Sequence, residues 1–389
     1  MRDVLFEEKK FGGTKMSDTV RVLHILHSMN RGGAETMLMN YYRNMDRTKV
    51  QFDFLLTFEG KSDYEDEIYA LGGKVFHVTP LTAKTIGAYC RDIEQFLKEH
   101  PEYAIVHSHT SSKSALPLWI AKKCGVPVRI SHSHNMILEN PFSPKEIIRK
   151  ILKKPLRKVS THNFACSKDA AVWLYGEDCW NQGEVNIMKN AIDLDRFAFC
   201  KETRRKIRAE LGLEDSFVVG HIGRFDRPKN QGFLVKIFAE LKKQKPDAVL
   251  LLIGDGELRE EVHQQAEQMG IGSSVHFLGV RNDVPELLQA MDTFVFPSQS
   301  EGLGIVLIEA QTAGLHCFTS KNVVPKEAEV SELLQFISLD ESAEEWANRI
   351  MQTDFSEERV SRAKEAASYG YDIKTSAKEI ETFYLACRK

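Results

Sequence analysis

Glu301 and Glu309 have the clearest chemical potential in this sequence, because the two acids bracket a stretch that is otherwise apolar and glycine-containing. The stretch follows an apolar run at 294–296 that predicts a buried strand, and it leads into 310–313, which predicts a helix. Such strand-to-helix loops line the ligand crevice of an open α/β sheet, and the helix start offers unpaired backbone N–H groups to an anion. Both acids are therefore predicted to face a ligand. For these two residues alone, a helix cap and a solvated side chain are the alternative.

A basic loop follows the predicted strand 217–222 and contains Gly223, Arg224 and Lys229. Arginine supplies a bidentate fork and lysine a compact point charge, a combination suited to a diphosphate. A solvated charged loop is the alternative. A second loop of the same half begins at Gly254 and is compatible with nucleotide contact, although such turns are common.

Two His-x-His pairs, His107/His109 and His132/His134, also follow predicted strands, and Asn135 comes after the second pair. Side chains alternate along a strand, so His107 and His109 share a face unless the strand ends between them. The second pair and Asn135 are predicted to face an acceptor. A metal site is not predicted, because no third type of ligand is clearly placed.

Composition places the chain among ordinary globular proteins and excludes several classes. At 389 residues it exceeds what one hydrophobic core usually supports, so two domains are expected. A net charge of -3 gives no reason to expect nucleic acid as a partner. The seven cysteines are scattered without a CxxC pair, so no disulfide framework or zinc site is predicted. Without an apolar run of membrane-spanning length or a secretory signal, the chain is predicted to be cytoplasmic.

The elements that must position these residues alternate along the chain. Residues 1–18 are predicted to be a disordered leader, with Met16 as an alternative start. A strand at 20–26 then leads through Gly32 and Gly33 into a helix, a unit that lets backbone approach a ligand closely. Similar strand and helix alternation continues in two halves joined near 191–215. It predicts an α/β fold of two doubly wound parallel sheets with the site in the cleft between them.

The order of these motifs resembles glycosyltransferase family 4. Its pattern is Gly223-Arg224 followed by Lys229-Asn230, then Glu301-Gly302-Leu303 with a second acid at Glu309. The resemblance runs from Gly32 to the C-terminus and implies the GT-B architecture, in which two Rossmann-like domains face a cleft. The implied division is an acceptor-side domain at 19–195, a nucleotide-sugar domain at 196–370, and a C-terminal helix at 371–389 that crosses back to the first domain.

The family resemblance also implies roles for individual residues. Arg224 and Lys229 would hold the donor diphosphate, Glu309 the ribose hydroxyls and Glu301 the donor sugar, with His109 beside that sugar. The implied catalytic residues are Glu301, His109, Arg224 and Lys229. The implied donor-binding residues are Gly32, Gly33, Gly223, Arg224, Lys229, Gly254, Gly302, Leu303, Gly304, Ile305 and Glu309. The acceptor-side residues are His132, His134 and Asn135.

No cofactor or metal is expected, since the nucleotide sugar is a substrate. Asp193 and Asp195 imitate the DxD metal motif of another glycosyltransferase fold, but their surroundings resemble the interdomain segment of family 4.

The reaction that the resemblance implies is transfer of a hexosyl unit, with retention, from a nucleotide diphosphate sugar to an acceptor hydroxyl in cell-surface polysaccharide biosynthesis. UDP is the expected nucleotide. A GT-B epimerase and a non-catalytic nucleotide-sugar-binding protein are the alternatives, whereas the absence of GxGxxG after the first strand disfavours a dehydrogenase.

The segment 145–158 carries seven basic residues and one acid, and its apolar positions share one helical face. Such a helix can rest on anionic lipid headgroups at the inner face of the cell membrane. That interpretation favours a lipid-linked saccharide acceptor. An ordinary surface helix with its basic residues in water is the equal alternative.

Overall fold

The computed structural model describes residues 19–134 and 153–388, and these form two parallel β-sheets covered by helices. The predicted leader, Asn135 and the first part of the basic segment, 145–152, lie outside the described residues. In the first sheet the described strands are β1 Val20–Leu26, β2 Val50–Leu56, β3 Val75–His77, β4 Ile105–Ser108, β5 Val128–Ser133, β6 His162–Ala165 and β7 Val185–Ile187. In the second they are β8 Phe217–Ile222, β9 Ala248–Ile253, β10 Val275–Gly279, β11 Thr293–Phe296, β12 His316–Ser320 and β13 Leu334–Ile337.

Helices connect most of these strands. Those of the first half are α1 Gly33–Asn44, α2 Glu65–Ala70, α3 Ile86–Glu99, α4 Ala115–Lys123, α5 Leu156–Val159, α6 Lys168–Tyr175 and α7 Glu177–Asn181. Those that follow are α8 Leu194–Phe197, α9 Lys201–Leu211, α10 Gln231–Gln244, α11 Arg259–Gln268, α12 Val284–Ala290, α13 Ile305–Thr312, α14 Ala343–Met351, α15 Ala363–Ser368 and α16 Ile373–Ala386. None of the described helices is long and apolar enough to cross a membrane.

The order of the strands explains where a ligand can bind. The first sheet runs β3-β2-β1-β4-β5-β6-β7 and the second β10-β9-β8-β11-β12-β13. In each sheet the chain starts in the middle, builds one side, and then returns to build the other. The order therefore reverses between β1 and β4 and between β8 and β11, and such reversals open a crevice at the carboxyl ends of the strands. The loops after β1, β4, β8 and β11 carry many of the predicted site residues, whereas His134 and Gly254 follow the neighbouring strands β5 and β9.

The central strands form because their sequences are apolar on both faces. β9, for example, reads Ala-Val-Leu-Leu-Leu-Ile and is almost wholly buried, as expected for a parallel strand covered by helices on both sides. Two strands were not predicted, β7 and β13. Both lie at a sheet edge, and both interleave polar residues with apolar ones over a short length. Strands this short, with polar residues among the apolar ones, leave no apolar run that local patterns can detect.

The last helix, α16, packs against the first sheet. Ile373, Ala377, Ile380 and Tyr384 are buried in the same apolar cluster as residues of α1, β1 and β2. The hydroxyl of Tyr384 lies 2.8 Å from Nδ1 of His107 on β4. The C-terminal segment therefore contributes both apolar area and a polar contact to the half of the molecule that holds the histidines.

Candidate active site

An ion pair between Lys229 and Glu301 forms the centre of the site in the second half. Lys229 Nζ contacts Glu301 Oε2, and the two side chains are only 21% and 14% exposed. Ser298 Oγ lies 3.4 Å from the same carboxylate oxygen. The other oxygen, Oε1, makes no hydrogen bond to the described residues. One end of the carboxylate is thus anchored while the other stays available to a ligand hydroxyl.

Three further hydrogen bonds join the loop after β8 to the loop after β11. Ser298 Oγ and the N–H of Gln299 both donate to the carbonyl of Pro228, at 2.9 and 2.7 Å. Asn230 Nδ2 donates to the carbonyl of Pro297 at 3.0 Å. Because these bonds flank Lys229 on both sides, its backbone is held in place before any ligand arrives. The sequence did not point to Ser298 as functional, and it marked Asn230 only as part of the Lys229-Asn230 motif, without a role.

Asn230 also adopts a left-handed backbone conformation, with φ at 58°. We expect Asn230→Gly to lose only the amide contact, and Asn230→Ala to carry an additional strain of about 1 kcal/mol or more, because alanine disfavours this conformation. Urea unfolding of both variants measures the difference. Both should also bind the nucleotide less tightly than the parent if the amide contact holds Lys229. Equal stability of the two variants would contradict the strain argument.

Two glycines bring backbone close to the ligand side of the second sheet. A Cβ on Gly254 would lie 2.1 Å from the carbonyl oxygen of Gly223, so only glycine lets these two predicted loops touch. Gly304 has φ at +77° and stands at the N-cap of α13. The N–H groups of Gly302, Leu303 and Gly304 make no hydrogen bond to the described residues. Together with the first turn of α13, beginning at Ile305, they present a positive helix end suited to phosphate or hydroxyl oxygens.

Arg224, the second predicted cation, is placed differently from Lys229. Its side chain is 76% exposed and its Nε lies 3.0 Å from Asp226 Oδ2. An exposed ion pair of this kind is worth little and exchanges partners readily. In the predicted role, Arg224 would have to leave Asp226 to meet a diphosphate, whereas Lys229 is held between the two loops beside Glu301.

Glu309 lies on α13, one helical turn beyond the helix start, and is partly buried. Removal of water raises the pKa of its carboxyl to about 7, although Arg196 opposes the shift. No described side chain donates a hydrogen bond to it. A carboxyl that titrates near neutrality without a protein partner is well suited to accept hydrogen bonds from a ligand.

This raised pKa predicts opposite effects of pH on stability and on binding. Between the ordinary value of 4.5 and about 7, the folded state holds a proton on Glu309 that the unfolded state has lost. Stability from this group therefore falls as pH rises through 7, while nucleotide affinity rises because only the carboxylate accepts two hydroxyl donors. Titration of UDP by calorimetry from pH 6 to 8 tests this. In Glu309→Gln, affinity should be weaker and lose that pH dependence.

On the first sheet, the predicted histidines do lie together. The rings of His107 and His109 share a face with centroids 4.3 Å apart, and those of His132 and His134 stack at 4.0 Å. His109 Nδ1 lies 2.8 Å from His134 Nε2, and its Nε2 lies 2.9 Å from Nδ1 of His24. Both ring nitrogens of His109 are thus engaged, so contact with a donor sugar requires it to exchange one histidine partner. That role stays a prediction.

The sequence alone does not single out His24 on β1 as a partner of the other histidines. It stands in a strand of apolar residues and is fully buried, and a single histidine in such a run is usually a core residue. Only the register of β1 on β4 reveals its position, because His24 pairs with His107 across the two strands and so faces the same way.

Burial lowers the pKa of all five imidazoles, to about 3 for His24 and His134, so the cluster is neutral near pH 7. Two groups of three nitrogens, His24/His107/His109 and His109/His132/His134, lie within 4.8 Å of one another, a spacing that could suit a metal ion. The bonded nitrogens, however, are only 2.8–3.2 Å apart and point at each other. Hydrogen bonds between neighbouring imidazoles account for this spacing, and the absence of a metal stays a prediction.

The remaining predicted residues have local roles as well. Gly32 is the N-cap of α1, next to Gly33, and the neighbouring Arg31 side chain contacts Asn282 of the second half. Asp193 caps α8 and Asp195 pairs with Lys374 at 2.5 Å, which accounts for the DxD-like spacing without a metal.

Two family models match most of the chain. One, described as Glycosyltransferase Family 4, matches residues 31–196. The other, described as Glycosyl transferases group 1, matches residues 203–369. The two ranges contain most of the first and second sheets, respectively.

Named relatives agree with these matches. The chain is 37% identical over 336 residues to the putative glycosyltransferase EpsF of Bacillus subtilis, covering 86% of this chain and 88% of that protein. It is 25% identical over 386 residues to the capsular polysaccharide biosynthesis glycosyltransferase CapH of Staphylococcus aureus, covering 94% and 99%. The crystal structure of HepE from Anabaena in complex with UDP-glucose matches with a TM-score of 0.75 at 20% identity, covering 92% and 98%. The predicted GT-B fold is confirmed.

Proposed function

We propose, from the premise that this chain belongs to glycosyltransferase family 4 and is a glycosyltransferase, that it transfers a hexosyl unit from a UDP-sugar to an acceptor hydroxyl with retention. The observation that carries the proposal is the ion pair of Lys229 and Glu301 beside the open start of α13. The site offers a cation, a carboxylate with one oxygen that makes no hydrogen bond to the described residues, and backbone N–H groups that are unpaired among those residues. A sugar diphosphate has the complementary groups, which are hydroxyls and phosphate oxygens.

The chemistry of transfer needs stabilisation at two points. The anomeric carbon becomes oxocarbenium-like while the leaving diphosphate gains negative charge. Lys229, Arg224 and the N–H groups of Gly302 to Ile305 would stabilise the leaving group, and preorganised contacts of this kind contribute about 3 kcal/mol each. Glu301 Oε1 would accept a hydrogen bond from a sugar hydroxyl, and Glu309 from the ribose hydroxyls.

Retention favours a front-face mechanism here. A double displacement would need a free carboxylate as nucleophile at the anomeric carbon. Lys229 and Ser298 hold Glu301 Oε2, which makes Glu301 a better positioning group than nucleophile. In the front-face route the bond from the anomeric carbon to the phosphate oxygen breaks and the bond to the acceptor oxygen forms on the same side. The departing phosphate takes the acceptor's proton, so no metal or further base is needed.

Two similarities support the choice of donor and product class. HepE was crystallised with UDP-glucose, which favours UDP as the nucleotide. CapH is named for capsular polysaccharide biosynthesis, which favours a cell-surface polysaccharide as the product. The acceptor would then be a saccharide or a lipid-linked saccharide.

Association with an anionic membrane surface is part of the same proposal. At the end of the basic segment, Leu156 and the following Val159 of α5 are buried, whereas Lys154, Arg157 and Lys158 are exposed, Arg157 in an ion pair with Glu184. Basic side chains on an outward helix face suit anionic headgroups. Co-sedimentation with phosphatidylglycerol vesicles, but not with phosphatidylcholine vesicles, is the expected result.

A transfer assay tests the proposed function directly. Purified protein is incubated with labelled UDP- and GDP-sugars, with and without a bacterial lipid extract and with chelator present. The expected result is an acceptor-dependent product from a UDP-hexose whose new linkage keeps the anomeric configuration by NMR. Interconversion of the donor without acceptor would identify an epimerase. Binding without turnover would identify a nucleotide-sugar-binding protein, and an inverted linkage would refute the front-face route.

A further inference from the structure

The five histidines and Tyr384 form two hydrogen-bonded rows. The first row is His24, His109 and His134, joined at 2.9 and 2.8 Å. The second row is Tyr384, His107 and His132, joined at 2.8 and 3.2 Å. The rows lie against each other through stacked rings, His107 on His109 and His132 on His134.

Ring geometry shows that the bonds within the first row run in line. The centroids of His24 and His109 are 5.1 Å apart and those of His109 and His134 are 5.0 Å apart, with ring planes within 33° of each other. Each centroid separation is longer than the corresponding N···N distance by about two ring radii. That is the difference expected when both nitrogens lie on the line between the two ring centres. Each lone pair therefore points along the neighbouring N–H, as in a chain of imidazoles.

Such a row has a direction. A neutral imidazole carries one N–H and one lone pair, so all members of a bonded row must place their protons in the same sense. One end then presents an unused N–H and the other an unused lone pair. Three ring nitrogens at the row ends are indeed buried without a partner among the described residues: His24 Nε2, His132 Nε2 and His134 Nδ1.

The surroundings of His24 determine the direction of the first row. Its ring packs on Phe52 and Phe54, with centroids at 4.1 and 5.6 Å. An N–H can rest on the negative face of an aromatic ring, whereas a lone pair is repelled by it. With the proton of His24 placed on Nε2, in these aromatic surroundings, the bonded row also places it on Nε2 of His109 and of His134. The open end of the row, His134 Nδ1, is left as a bare acceptor.

Tyr384 determines the direction of the second row. Its hydroxyl has no hydrogen-bond partner other than His107 among the described residues, so the phenol proton is satisfied only by donation to His107 Nδ1. His107 Nε2 then donates to His132 Nδ1, and His132 Nε2 is left as a donor. The stacked ends of the two rows thus offer one donor and one acceptor.

We propose that His132 Nε2 and His134 Nδ1 form a subsite for a single acceptor hydroxyl, which accepts from the former and donates to the latter. His24 and Tyr384 act as positioning residues that set this polarity. A hydroxyl is the simplest group that satisfies both nitrogens at once. His134 follows the carboxyl end of β5 and is 8% exposed, whereas His132 is fully buried. The identity of the ligand as an acceptor alcohol rests on the proposed function, whereas the row polarity does not.

The polarity is tested on the substrate-free protein by NMR of ¹⁵N-histidine. Long-range ¹H–¹⁵N correlation distinguishes the two tautomers, and single-histidine substitutions assign the signals. The expected result is that His24, His109 and His134 all carry the proton on Nε2. The proton on Nδ1 at any of the three would overturn the proposal. So would a stoichiometric metal at these histidines, seen as ligand-field bands after Co²⁺ substitution.

Substitutions at the end of each row distinguish a positioning role of His24 from a packing role. In His24→Leu the tautomers of His109 and His134 should become mixed, while His24→Asn, which keeps a polar group at the Nδ1 position, should retain most activity. Tyr384→Phe is the matched control, because it removes the end of the second row and should leave the first-row tautomers unchanged. Equal behaviour of the Leu and Asn variants would reduce His24 to a packing residue and overturn its assigned role.

The hydroxyl subsite has its own kinetic readout, with the acceptor found in the transfer assay. His24→Leu and His134→Phe should each raise the acceptor KM or lower kcat about fivefold to tenfold, the effect of one lost hydrogen bond, with UDP affinity unchanged. Unchanged acceptor kinetics in both variants would overturn the subsite. A protein without transfer activity would refute the proposed function and this subsite together, and the NMR result would still decide the polarity.

Discussion

Glu301→Gln is expected to lower kcat by about 10²–10³-fold while leaving the fold intact, because glutamine keeps the shape of the side chain and loses its charge. The neutral amide accepts a weaker hydrogen bond from the donor sugar. It also leaves Lys229 without its ionic partner in a site where both side chains are mostly buried. Steady-state kinetics with the donor from the transfer assay measures the effect, and circular dichroism and thermal unfolding check the fold.

Glu344→Gln is the matched control for this substitution. Glu344 is an exposed acid on α14 of the same half and makes no ion pair with the described residues. Its replacement should leave kcat unchanged. A covalent sugar on Glu301, detected by mass spectrometry of the quenched enzyme, would overturn the positioning role and make Glu301 the nucleophile of a double displacement.

Lys229→Met is expected to have a similarly large effect, lowering kcat by about 10²–10³-fold. Methionine fills much of the same space but supplies no charge to the leaving diphosphate. UDP affinity should fall as well, since the free nucleotide carries the same phosphate groups. Lys229→Arg should recover only part of the loss, because the broader guanidinium does not fit where hydrogen bonds on both sides confine the lysine. Lys236→Met, at an exposed position on α10, is the control.

The double variant Lys229→Met/Glu301→Gln tests whether the two residues act as a unit. If they do, the loss in the double variant is clearly smaller than the product of the two single losses, because either change alone already breaks the pair. Strictly multiplicative losses would show that the contact has no part in catalysis. Isothermal calorimetry with UDP on all four proteins separates ground-state binding from the effect on turnover.

Local sequence patterns predicted most of what lies inside the two sheets. β1 and β8 have the predicted bounds and β11 covers the predicted run 294–296, because a buried parallel strand is a short apolar run that ends at a turn signal. The loops after β8 and β11 were predicted from the same signals, and they are where Lys229 and Glu301 meet. The edge strands β7 and β13 were not predicted, since their polar residues face solvent and interrupt the apolar run.

Contacts between distant segments account for the rest of the site. Ser298 carries no signal of function in sequence and Asn230 only its place in a motif, yet they hold the two loops together across about 70 positions. His24 looked like a core residue, and only the register of β1 on β4 brings its ring to His109. Arg224 and Lys229 were predicted as equals, whereas the structure pairs one with Asp226 in solvent and the other with Glu301 in the site.

The sequence by itself determined the family, the two parallel sheets, and the types of charged group that a donor would meet, because these depend on residue type and on spacing within one strand-loop-helix unit. Only the tertiary structure decided which nitrogen of each histidine is engaged, which oxygen of Glu301 is free, and how strongly burial shifts the pKa of Glu309. Hydrogen-bond direction and desolvation are properties of surroundings built from several chain segments. No local pattern contains that information.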